Sequence, residues 1–214
     1  MVSSPTVYSG QFGEFTINQS DRTGVIIYRA GLMVAAMSFA IGSAAVLLHN
    51  DATILSVLTP LYACFSLALG VSLLTIHIYV APLHRLLQVF WAIGTITAIA
   101  LAVSSSDPLA VTVYNQPTTL FGVGFTFAAL TGIFFKEAFC FNRLETKLLT
   151  FLVPGLLLGH LVGILPIQWE RTLLAVWALL LVVFALRKVF QEIPPDIGDK
   201  SVFSYLAQQH SAKA

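Results

Sequence analysis

The sequence predicts an all-α polytopic membrane protein: a transmembrane helical bundle of about six spans, with both termini on the cytoplasmic side. Three observations predict it. Hydrophobic residues make up 57% of the 214 and charged residues 10%, against roughly 25% charged in soluble domains. The apolar residues gather in blocks that meet the roughly 17–25 residues a helix needs to cross a bilayer. Lys and Arg fall almost wholly on one side of those blocks.

Span 1 is expected over Ala30–His49, span 2 over Ile54–His77 and span 3 over Leu86–Ser104. Span 4 follows over Thr118–Phe135, span 5 over Leu148–Leu165 and span 6 over Trp169–Leu186. The first five contain no Asp, Glu, Lys or Arg, each of which costs roughly 2.5–3.5 kcal/mol at a helix centre. Span 6 is the shortest in uncharged length, Thr172–Leu186, with Glu170 and Arg171 at its outer end. It crosses if Trp169 marks the interface and Arg171 snorkels. Residues 30–186 form the membrane domain, with tails over 1–29 and 187–214 and no room for a soluble catalytic domain.

Alternating the six spans puts Arg22, Arg29, Arg85, Lys136, Arg143, Lys147, Arg187, Lys188, Lys200 and Lys213 on one side. That is ten of the eleven basic residues, with only Arg171 opposite. Cytoplasmic loops carry the excess of Lys and Arg, so this side is assigned to the cytoplasm. The first apolar block is too long and too late for a signal peptide, and neither end shows a lipidation pattern. The formal net charge of +1 gives no reason to expect nucleic acid as a partner.

The tails have local signals. Phe15–Ile17 alternates like a short strand, and Ser20 and Asp21 suit a helix start ahead of Val25–Ile27. Helix 1 then begins in the cytosol with Arg29 at the interface. The second tail breaks at Pro194-Pro195, and Ser201–Gln209 suits one or two amphipathic turns or a disordered tail. Prolines recur near spans 2 and 5 (Pro60 and Pro82, Pro154 and Pro166), the only trace of an inverted repeat.

Four features bear on chemistry. Gly155, Gly159 and Gly163 recur at steps of four in span 5; the pattern reads as a helix-packing face that lets a neighbouring backbone approach, with room for a flat cofactor or lipid as the alternative. His160 is the one ionisable group expected well inside a span, which makes it a functional candidate. A neutral histidine bonded to a carbonyl or hydroxyl is the plainer reading. A bis-histidine haem is disfavoured, because His49, His77 and His84 fall at other depths.

The segment Phe134–Lys147 joins spans 4 and 5. If it is helical, Lys136, Cys140, Arg143 and Lys147 share one face, with Glu137 beside them. The plain reading is an interfacial turn; the functional one is a docking surface for an anionic headgroup or a partner protein, or a reactive Cys140 thiol. Cys64 and Cys140 make neither a disulfide framework nor a zinc pattern. No Gly-x-Ser-x-Gly, His-Glu-x-x-His or glycine-rich phosphate loop occurs, and the spans hold no aspartate.

The runs Val7–Ile17, Asp21-Arg22 and Tyr28-Arg29, then Thr131–Phe141 and Gly159-His160, resemble a cyanobacterial family of uncharacterised integral membrane proteins, a domain of unknown function with plastid-lineage relatives. The resemblance implies a plasma or thylakoid membrane and about six spans. It implies no activity and leaves any cofactor unknown. Three functions remain open: a non-catalytic interaction or assembly factor for another membrane complex, a small-solute or lipid transporter or channel, and a cofactor-binding protein or enzyme using His160 or Cys140.

Overall fold

The computed structural model describes residues 6–49 and 52–211, so Asp51 and Lys213 lie outside the described residues. An antiparallel hairpin, β1 (Val7–Gly10) and β2 (Gly13–Thr16), precedes the helices. Six helices are long and apolar enough to cross a membrane. They are α1 (Gln19–Leu48), α2 (Ala52–Thr75), α3 (Ala81–Ser104), α5 (Leu120–Phe141), α6 (Leu144–Leu161) and α7 (Ile167–Phe190). Between α3 and α5 lie a short helix α4 (Leu109–Asn115) and a 3₁₀ turn; after α7 come α8 (Pro194–Ile197) and α9 (Ser201–Ser211).

Several boundaries differ from expectation, each for a local reason. Helix α1 starts at Gln19, ahead of the span as the Ser20 and Asp21 signal implied, but its cap is Asn18. The Asn18 side chain accepts from the Asp21 amide, and the Asp21 carboxylate accepts from the Asn18 amide, both at 2.9 Å. This reciprocal capping box satisfies two otherwise unpaired donors. Helix α5 runs on through Lys136 and Glu137 to Phe141, then stops at Asn142, which takes the left-handed conformation at φ 52°. The segment after Phe134 is therefore two helices and not one, and the expected common face of Lys136, Cys140, Arg143 and Lys147 is broken. Helix α6 ends at Leu161, earlier than expected, and Gly163 turns the chain at φ 69°, a conformation that suits glycine. Helix α7 runs from Ile167 to Phe190 with Glu170 in its first turn.

The spans close a ring in which α1 packs on α2 and α7, α3 on α5, and α6 between α5 and α7. Its centre is filled by Tyr28, Leu32, Leu69, Leu73, Ile133, Phe134, Leu149, Leu181 and Phe184, all about fully buried. The outside is as apolar as the inside: Phe139, Phe151 and Phe190 are 83%, 79% and 85% exposed. Lipid makes that arrangement favourable and leaves close packing to hold helices together. Glycine does this work at α1–α2 and α3–α5. A β-carbon on Gly31 would collide with Ala68 and Ser72, and one on Gly94 with the Thr126 backbone.

Candidate functional site

Six side chains were singled out above together with the three glycines, and the structure separates them to two ends of the bundle. The glycines do not form the expected groove against another helix. A β-carbon on Gly155 would meet no described atom within 4 Å; one on Gly159, which is buried, would first meet Leu165, in the loop that follows the same helix. Gly163 lies beyond α6 altogether. A spacing of four marks a helix face only while the helix lasts.

His160 is not deep in a span. It sits in the last turn of α6 because that helix ends at Leu161. Its Nδ1 is 2.6 Å from Glu170 Oε1 on α7, and its Nε2 is 3.2 Å from the Tyr114 carbonyl on α4. Both partners are acceptors, and the tautomer decides which ring nitrogen donates. The Tyr114 hydroxyl donates to Glu170 Oε2 at 3.1 Å, and its ring stacks on the imidazole with centroids 4.8 Å apart. Burial, then the hydrogen bond and charge of Glu170, push the Tyr114 phenol up, so it stays a donor at neutral pH.

This triad stands at the rim of a cavity of about 550 Å³ beneath α4, within the roughly 300–1,000 Å³ of small-ligand sites. The halves of α1, α2, α5, α6 and α7 away from the two tails form its walls. Phe39, Tyr62, Phe127 and Trp177 line it on the inner side, and Leu47, Leu55, Val113 and Ile167 are among its aliphatic residues. Trp177 is 2% exposed and packs against Phe39 and edge-on against Phe127. Its Nε1 is buried without a hydrogen-bond partner among the described residues. Arg171 also lines the rim, and its Nη2 donates to the Leu47 carbonyl at 2.5 Å. That contact caps the end of α1 with a cation, as a helix C-terminus favours.

The opposite end holds a buried ion network. Lys188 and Glu137 are fully buried and pair at 3.0 Å; Lys188 also bonds Asp196 of α8. Arg29 donates to Asp196 through Nε at 2.9 Å and Nη2 at 2.6 Å, and to the carbonyls of Gln191 and Glu192. Lys136 and the Tyr28 hydroxyl both donate to Glu137 Oε1. Lys136, Arg143 and Lys188 all lie within 5.5 Å of the Phe141 ring centroid, a cation–π arrangement. Lys136 and Glu137 are thus parts of a structural network rather than an exposed docking face. Arg143 bonds Gln191 at 2.7 Å, and Cys140 is exposed.

The hairpin and α9 are fastened to this end. The Gln11 amide donates to Asp199 at 2.7 Å, Lys200 pairs with Asp21 at 2.7 Å, and Phe12 stacks on Tyr205 at 4.1 Å. Tyr79 donates to the Ile197 carbonyl; burial and the charges of Asp199 and Asp21 push its phenol up to about 12.

Residues 71–205 match the model of a family described as "Uncharacterized integral membrane protein (DUF2301)". The chain belongs to this family. No curated protein and no solved structure matches the chain. The matched stretch takes in Tyr114, His160, Glu170 and Trp177, and Glu137, Lys188 and Asp196 as well. The protein is therefore a multi-pass integral membrane protein embedded in a lipid bilayer.

Sequence reasoning missed Tyr114, Glu170 and Trp177 at one end and Lys188, Asp196 and Arg29 at the other. Glu170 had a signal: it is a carboxylate at the start of an otherwise apolar stretch, ten residues after a histidine across a short turn. Asp196 had none, because its role depends on the chain folding back after Pro194-Pro195.

Proposed function

We propose that the protein is a non-catalytic membrane protein that binds a lipid-soluble ligand in the cavity beneath α4. The observation that carries this reading is the cavity itself: about 550 Å³, almost wholly apolar, with aromatic rings within and the His160–Glu170–Tyr114 group at its rim. Small-molecule sites have this make-up, a hydrophobic body with a few placed polar groups. The reading is nearest to the cofactor-binding alternative that used His160, with a lipid-soluble ligand in the cofactor's place. With both ring nitrogens engaged by Glu170 and Tyr114, His160 serves by holding α4 over the cavity. The orientation with both tails in the cytoplasm, and residence in a cyanobacterial or plastid-type plasma or thylakoid membrane, belong to the same proposal.

A passage for a polar solute has less support. The hydroxyls it needs are bonded to each other or to helix carbonyls: Ser66 to Thr95 at 2.7 Å, Tyr62 to Thr126 at 2.8 Å, Thr131 to Phe127. The assembly-factor reading keeps one observation in its favour. The hairpin and α9 form a folded platform that exposes Phe12, Phe203 and Leu206, a surface for another membrane complex.

The test is extraction of the protein with its surrounding bilayer, followed by mass spectrometry and an absorption spectrum. Ligand binding predicts a lipid-soluble molecule retained in stoichiometric amount by the wild type and lost when Leu157→Trp fills the cavity. Identical extracts from the two proteins would reject the reading. A co-purifying set of subunits with no retained small molecule would move it to the assembly factor.

A further inference from the structure

The cavity has a polar address as well as an apolar body. Nine of the ten basic residues among the described ones lie toward the tail end of the bundle, and the tenth, Arg171, lies at the rim of this cavity. An arginine on the sparsely basic side runs against the usual charge bias. Capping α1 through the Leu47 carbonyl accounts for one of its nitrogens, whereas a guanidinium has five donor hydrogens. Arg171 is exposed, and among the described residues no side chain pairs with the rest of its fork. Glu170 forms no ion pair with it among the described residues: one oxygen of that carboxylate is engaged by His160 and the other by the Tyr114 hydroxyl. Asn115, also exposed and also lining the rim, adds amide donors.

From this we infer that the occupant is a single-chain amphipath with an anionic head, held by Arg171 at the rim while its apolar chain lies in the cavity toward Trp177. The inference rests on the ligand-binding reading above and specifies its substrate class. An anionic oxygen pair matches the guanidinium fork, and an apolar chain matches walls that offer almost no other polar group.

The probe is palmitate bearing a mid-chain photoreactive diazirine, added to full-length protein in phosphatidylcholine nanodiscs. Cross-links are mapped by mass spectrometry. The expected label falls on Leu156, Leu157 and Leu174, and not on the adjacent lipid-facing Leu158. Unlabelled palmitate should compete, its methyl ester should not, and Arg171→Gln should weaken labelling by about tenfold or more, as loss of a charged hydrogen bond implies. Arg171→Lys should restore much of it, because a cation then stands at the rim again. Competition by lysophosphatidate as well as palmitate supports an anionic head of either kind; competition by palmitate alone supports a carboxylate. If the cavity is labelled but the ester competes equally and Arg171→Gln changes nothing, the anionic-head inference falls and the ligand-binding reading stands. If label appears only on lipid-facing positions such as Leu158 and Phe151, both fall.

Discussion

Lys188 Nζ and Glu137 Oε2 stand 3.0 Å apart with both side chains wholly buried, and they join α7 to α5 at the tail end of the bundle. Removing one partner of a buried ion pair leaves an uncompensated charge, typically at a cost of 3–5 kcal/mol. Lys136 still covers Glu137 and Arg29 still covers Asp196, so Lys188→Met should lower stability by about 3 kcal/mol. Adding Glu137→Gln should recover part of that loss. Thermal unfolding in one detergent compares the single and double variants. A Lys188→Met protein that melts with the wild type would mean the network contributes little.

The packing glycines are Gly94 and Gly31 rather than the span-5 trio. Gly94→Ala forces a methyl group into the Thr126 backbone and should destabilise by about 1–3 kcal/mol through overpacking. Gly155→Ala meets open space and should be neutral or stabilising, since alanine is favoured over glycine by up to about 1 kcal/mol inside a helix. The same melting assay reads both, and a reversed order would place an unseen neighbour against Gly155.

These two cases show what the sequence made legible. Six spans, their order and the shared side of the tails follow from block length and the placement of Lys and Arg, because a bilayer imposes both directly. The Gly155–Gly163 spacing misled because periodicity says nothing about where α6 stops, and Gly163 turned out to be its exit. Asn142 hid in the same way: one left-handed residue converts an interfacial stretch into a helix that delivers Glu137 to the core. The cavity was illegible because its rim joins Tyr114, His160 and Glu170 from three elements. Only His160 is conspicuous in the chain.

Asp199 pins the hairpin to the second tail through the Gln11 amide. The Ser201 hydroxyl, then the Gln11 amide, hold its carboxyl below the usual 3.8. A carboxyl depressed on folding contributes stability above its unfolded value and loses it as pH falls through the folded one. The pin should therefore be complete at neutral pH and fade in acid below the ordinary aspartate range. Asp199→Asn at neutral pH should mimic that loss. Hydrogen exchange at Gln11 should quicken in the variant; unchanged protection would show that the Phe12–Tyr205 stack suffices.

Orientation is tested by labelling with an impermeant thiol reagent on intact cells, using single cysteines in an otherwise cysteine-free background. Cysteines at Gln11 and at native Cys140 should react only after permeabilisation, and one at Ser106 should react without it. Labelling of the Gln11 position from outside would reverse the orientation and place the cavity rim on the cytoplasmic side.

The most direct test of the central claim is the density inside the cavity when the protein is imaged by electron cryomicroscopy in its native bilayer, with a bound antibody fragment for size. The account predicts one elongated feature beneath α4, with one end beside Arg171 and the other against Trp177, absent in Leu157→Trp. A cavity closed by its own side chains, or filled by disordered lipid continuous with the bilayer, would contradict it.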